Sequence, residues 1–215
     1  MRIDIYSDTI CPWCYIGKKR LQRALSARPD VEAQIQWRAF QLNPWMPAAG
    51  VTRAEYLQAK FGATDADRIY ANIREVGAVE GIDFRFDLME RTPNTVRSHR
   101  LIAWALEQSG VDPQGKLVEA LFQVYFLEGK DIGANVVLLE AVERAGLDVE
   151  LAEAFLATDL YHDSVVEEDA AARRMGIQGV PCFIVDGSYA VSGAQEPEYF
   201  MPLFDLVLTG QAAAE

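Results

Sequence analysis

The chain has 215 residues, half of them hydrophobic, enough to bury a full core as one domain with a large insertion or as two small domains. The 32 acidic residues outnumber the 20 basic ones, and the formal charge of -12 argues against nucleic acid or an anionic membrane as partner. No apolar run approaches transmembrane length, and the charged first strand begins too early to leave room for a secretory leader, so the expected setting is a soluble protein of the cytoplasm.

In chain order, Arg2-Ile3-Asp4-Ile5-Tyr6 alternates apolar and polar residues and predicts a strand. Cys11-Pro12-Trp13-Cys14 follows, with Pro12 suited to the first turn of a helix. Cys14, Gly17, Leu21, Ala24 and Leu25 recur at spacings of three and four, so Cys14 faces the core. Cys11 precedes the first full turn, where unpaired N–H groups and the positive end of the helix dipole favour a thiolate. These positions make Cys11 the expected nucleophile and Cys14 the resolving thiol of a redox pair. In a reducing compartment such a pair is catalytic rather than a permanent staple. A zinc site would need two further ligands, and Cys182, His99 and His162 supply no second paired motif, so no metal is expected. Lys18, Lys19, Arg20 and Arg23 read as the exposed face of this helix.

Ile35–Phe40 alternates again and completes a βαβ unit, which Asn43-Pro44-Trp45-Met46-Pro47 ends. From about Thr52 to Leu160 the pattern is helical throughout, without a strand, and is broken at Gly110, Asp112-Pro113, Gly133 and Gly146. Its clearest helix is Thr95–Ser109, where His99 shares a face with Ile102, Ala103 and Leu106 and reads as a satisfied core or interdomain histidine. Ser164-Val165-Val166-Glu167 has the form of a capping box, with His162 solvated just ahead of it, and opens a helix ending at Arg173 and Arg174. Cys182–Val185 and Ser188–Val191 flank Asp186-Gly187, a hairpin signal. Glu196–Leu208 predicts a last helix that tolerates Pro202 only with a kink or near its first turn, and Ala212–Glu215 is expected to fray. The domain division expected from this order is residues 1–46 with 161–215, interrupted by a helical insertion over 47–160.

These residues carry a resemblance. Strand, CPWC helix, strand, helical block, helix, Gly179-Val180-Pro181, hairpin and helix together resemble the DsbA-like thioredoxin fold and its cytoplasmic FrnE-like branch over nearly the full length. Further carriers are Ser7-Asp8, Tyr15-Ile16-Gly17, Leu42-Asn43-Pro44, Asn94-Thr95 with His99-Arg100, and Ser192-Gly193-Ala194-Gln195. Kappa-class glutathione transferases and hydroxychromene-carboxylate isomerases share the scaffold but carry serine in place of the nucleophilic cysteine. The expected fold class is therefore α/β, a thioredoxin fold with a large all-helical insertion.

The resemblance implies that Pro181 is cis and lies across from Cys11 and Cys14, leaving the Val180 backbone to pair with an extended substrate. Trp13 and Pro12 are expected at the substrate face. Gln195 matches in place the kappa-class residues that hold the glutamyl end of glutathione, and reads equally well as a helix cap. Cys182 departs from the family pattern, which has an apolar residue there, and is read as core packing. The expected function is thiol-disulfide exchange on protein or glutathione mixed disulfides, without an organic cofactor and with glutathione as a candidate co-substrate. The rivals are a glutathione-dependent transferase or isomerase, which needs no cysteine at position 11, and a chaperone-like binding module, which needs neither cysteine.

Overall fold

The computed structural model describes residues 1–62 and 66–212. In chain order the elements are β1 (Arg2–Ser7), α1 (Pro12–Ser26), β2 (Gln34–Ala39), β3 (Val51–Thr52), α2 (Arg53–Phe61), α3 (Ala66–Val79), β4 (Arg91–Thr92), α4 (Val96–Ser109) and α5 (Val111–Phe126). They continue with α6 (Asn135–Arg144), α7 (Val149–Leu156), α8 (His162–Arg174), β5 (Cys182–Val185), β6 (Tyr189–Ser192) and α9 (Met201–Ala212). Ala213, Ala214 and Glu215 of the tail expected to fray lie outside the described residues, while Ala212 closes α9.

β1 runs parallel to β2 through the α1 crossover and antiparallel to β5, which pairs with β6, so the sheet order is β2-β1-β5-β6. The period-two alternation of β1 gives the sheet two different faces. Ile3 and Ile5, opposite Val185 and Phe183, point into the main core with α1 and the helical block. Cys182 points the other way, into a small cluster with Phe40, Ala172 and Ile177 beneath α8. Asp186 and Gly187 both take positive φ, 46° and 69°, and the Ser188 amide donates to the Val185 carbonyl at 3.1 Å, closing the turn of the hairpin.

An edge strand such as β2 leaves main-chain groups unpaired. Here side chains take them: the buried Gln114 of α5 accepts from the Trp37 amide at 2.9 Å and donates to its carbonyl at 3.1 Å. From α8, Glu168 accepts from the Ala39 amide at 2.7 Å and Asp169 from the Gln41 amide at 2.8 Å. Through Gln114 the helical block is thus fastened to β2, and through Glu168 and Asp169 so is α8, by directional bonds as well as by apolar packing.

Several expectations are corrected. The 52–160 stretch contains strand: β3 pairs antiparallel with β4, Val51 opposite Thr92, in a ladder too short for period-two patterning to reveal. Asp112-Pro113 does not break a helix but lies in the first turn of α5, where proline is tolerated. Ser164 does not cap α8, which begins two residues earlier behind Tyr161 at φ 63°. The Arg100 guanidinium, donating to the Thr158 and Leu160 carbonyls, holds the turn that leads there. The last helix is divided, with a 3-10 turn at Pro197–Phe200 before α9, so Pro202 falls in the first turn of α9.

Candidate active site

Cys11 is the N-cap residue of α1, with Pro12 in the first turn and no acidic residue there to compete for the helix dipole. Its amide donates to the Asp8 carbonyl at 3.0 Å, and its thiol donates to the Val180 carbonyl at 3.6 Å. Cys14 lies one turn deeper, its sulfur beside the Cys11 thiol, the Ser7 hydroxyl and the Asp8 amide. Burial pushes the Cys14 thiol well above the usual cysteine range, and the neighbouring Cys11 pushes it further. Both thiols are free. Cys11 is 4% exposed, Cys14 1% and Cys182 5%, so burial alone singles out none of them. Position at the helix mouth distinguishes Cys11.

The Val180–Pro181 peptide is cis. A Cβ placed on Gly17 would lie 2.8 Å from Pro181 Cγ, 3.1 Å from Phe183 Cζ and 3.5 Å from Ala194 Cβ, so the absence of a side chain lets α1 reach both loops. The Gly193 amide donates to the Pro181 carbonyl at 2.8 Å. Gln195 extends this loop, where its side chain donates to the Ser192 carbonyl at 2.9 Å rather than capping a helix. Pro12, Trp13 and Val180 are half-buried around the thiols, and both Trp13 and Val180 pack on the core. The chain therefore brings together Cys11, Cys14, Val180 and Pro181, with the Gln195 loop behind the proline.

Lys18 and Arg20 are buried, contrary to the exposed face expected for them, because the helical block lies over α1 and supplies counter-ions. Arg20 meets Glu80, whose side chain is fully buried, at 2.9 Å and Glu196 at 2.5 Å, and donates to the Ala194 carbonyl at 2.6 Å. Lys18 and Lys19 hold Glu119 at 2.6 and 2.8 Å. Although burial works against it, this pairing brings the Glu119 carboxyl down to about 2. Arg23 stays exposed as expected and also reaches Glu80.

Asp8 carried the resemblance but no chemical role, and the structure gives it a central place. Its fully buried carboxylate accepts from the Leu42 amide at 2.7 Å and the Ile10 amide at 3.4 Å. His99 Nε2, 3.6 Å from that carboxylate, has no hydrogen-bond partner among the described residues, so His99 is a core histidine but not a fully satisfied one. Thr9 meets Ser98 at 2.8 Å, and Asn94 donates to the Met46 carbonyl at 2.7 Å. The loops after β1 and β2 and the start of α4 are thereby joined around the cysteines. His162 is exposed beside Asp163. No group of three or more potential metal-ligating side chains occurs among the described residues.

A family model described as the DSBA-like thioredoxin domain matches residues 2–203. The Bacillus subtilis protein YwbO, itself uncharacterized, is 27% identical over 206 residues, covering 93% of this chain and 94% of that protein. A crystal structure described as a probable DsbA oxidoreductase from Streptomyces coelicolor is 32% identical with a TM-score of 0.87, covering 97% of this chain and 90% of that one. The same fold recurs in a hydroxychromene-carboxylate isomerase at 16% identity and a TM-score of 0.72, each chain fully covered. It recurs also in DsbM, a cytosolic disulfide reductase of Pseudomonas aeruginosa, at 17% identity and a TM-score of 0.65, again with full coverage of both chains. The FrnE-like motifs fit within the matched family. The chain belongs to the DsbA-like thioredoxin family.

Proposed function

We propose that the chain is a thiol-disulfide oxidoreductase with Cys11 as nucleophile and Cys14 as resolving thiol. The observation that carries this reading is the placement of Cys11 at the mouth of α1, with the Cys14 sulfur alongside and the Val180 carbonyl opposite. In the reducing direction the Cys11 thiolate attacks one sulfur of a substrate disulfide, the S–S bond breaks, and the other sulfur leaves as a thiolate. Cys14 gives its proton to solvent and attacks the Cys11 sulfur. The Cys11–Cys14 disulfide closes, and the remaining substrate thiolate departs. Two electrons pass from the cysteine pair to the substrate, and an external dithiol returns them.

The proposed substrates are protein disulfides or glutathione mixed disulfides, with glutathione as the small-thiol partner, no organic cofactor, and the cytoplasm as the setting. DsbM, which shares the fold, has been solved with GSH. Val180 and Pro181 would line the substrate groove, with Pro12 and Trp13 at its edge and Gln195 behind it.

Reduction of insulin and of a glutathione mixed disulfide in the presence of a dithiol tests the reading. Cys11→Ser should abolish turnover, and Cys14→Ser should accumulate a substrate mixed disulfide on Cys11. Full turnover by Cys11→Ser would refute it, and glutathione conjugation that survives that change would assign transferase chemistry instead.

A further inference from the structure

Among the loop and helix that follow β2 lies a cavity of about 650 Å³ lined mainly by Leu42, Trp45, Met46, Pro47, Tyr56 and Lys60. Its volume falls within the range of small-molecule sites, and its walls are apolar and aromatic. Leu42 is bonded through its amide to Asp8, whose carbonyl in turn receives the Cys11 amide. At the inner wall, Tyr56 is buried, and that burial pushes its hydroxyl up to about 12. Leu42 thus ties the inner end of the cavity to the loop that carries Cys11. Trp45 stands 79% exposed at the rim, on a loop fastened from below by Asn94 and Met46. Such a side chain gains nothing from the fold and has a free aromatic face for a partner.

Charge narrows the occupant. Lys60 sits at the mouth with its ammonium 2.7 Å from the Tyr56 hydroxyl, and among the described residues it makes no ion pair. Glu55, the other charged residue of the lining, is already engaged by the Thr52 amide and hydroxyl at 2.8 and 2.7 Å. We infer that this cavity binds the aromatic half of a small organic disulfide bearing a carboxylate, with the ring against Trp45 and Tyr56 and the carboxylate at Lys60. The inference rests on the exchange reading for its chemistry. The Cys11 thiolate would bond to the sulfur of the bound half, and the distal aryl thiolate would leave with the electron pair. Cys14 would then displace the bound aryl thiolate as the Cys11–Cys14 disulfide closes.

Two measurements separate the site from the chemistry. Calorimetric titration of the Cys11→Ser/Cys14→Ser double variant with nitrobenzoate should show saturable binding, weakened about three- to tenfold by Trp45→Ala and in the same direction by Lys60→Gln. In the protein with both cysteines, the kcat/KM ratio for dithiobis(nitrobenzoate) over hydroxyethyl disulfide should fall by a similar factor with Trp45→Ala. Absence of saturable binding, tighter binding of a phenylalanine-containing peptide than of nitrobenzoate, or an unchanged ratio would overturn the inference. Nitrobenzoate binding without reduction of either disulfide would defeat the exchange reading alone, and reduction without binding would defeat the aromatic site alone.

Discussion

At the scale of single residues, the site depends on how closely α1 approaches the Pro181 loop. Gly17 is the point of approach, and adding a methyl group 2.8 Å from Pro181 Cγ forces the helix or the loop to shift. Gly17→Ala should lower stability by about 1–3 kcal/mol, read from the denaturant midpoint, and slow exchange at temperatures where the variant stays folded. The two thiols at the mouth of α1 differ in a way that pH exposes. Burial holds Cys14 protonated, so its attack on the mixed disulfide should speed up as pH rises above neutrality, while iodoacetamide at neutral pH should label Cys11 before Cys14. Cys182, raised by burial on the far face of the sheet, should be dispensable: Cys182→Ser should retain turnover and lose about 1–3 kcal/mol of stability through its buried hydroxyl. Alternation along β5 sets Phe183 and Cys182 on opposite faces, but only the structure shows that the face of Cys182 is the one under α8.

At the scale of elements, α1 carries more than its cysteines. A surface helix would leave Lys18 and Arg20 in water, but the helical block covers α1 and matches them with Glu119 and Glu80. The Glu119 carboxyl is lowered in the folded chain, so its contribution is present above the ordinary glutamate range and is lost as pH falls from about 4.5 toward about 2. Glu119→Gln should cost about 1–2 kcal/mol at neutral pH, and urea midpoints measured down that acid window should fall less steeply than for the unaltered chain. Neither pairing was legible from the sequence. Periodicity marks which face of a helix is apolar, but the acid that meets Lys18 lies about a hundred residues away, and only tertiary packing brings it there. The cysteine helix, β1, β2 and the hairpin were legible because local rules of alternation, proline placement and turn chemistry set them. The β3–β4 ladder was hidden by its length, and the start of α8 by a turn that Arg100 fixes from another helix.

At the scale of the whole molecule, the sheet divides the three cysteines: two at the mouth of α1 against the main core, one under α8. The resemblance carried the fold to its family because the chain order of elements is itself the signature, and Gln114 fastens the helical block to β2 while Glu168 and Asp169 fasten α8 to the end of β2 and the residues after it. Residue by residue, the meeting of Cys11 and Cys14 at the mouth of α1 was legible, while the burial of Asp8, the approach of His99 to it and the place of Tyr56 in a cavity wall were not, since these depend on meetings between distant loops. The central claim is that Cys11 and Cys14 form one reversible two-electron couple. Equilibration of the full chain in glutathione redox buffers, with acid quenching and mass-spectrometric mapping of every thiol, tests it most directly. The account predicts a single transition in which Cys11 and Cys14 become joined while Cys182 stays free, whereas a disulfide to Cys182, or two thiols that titrate without joining, would contradict it.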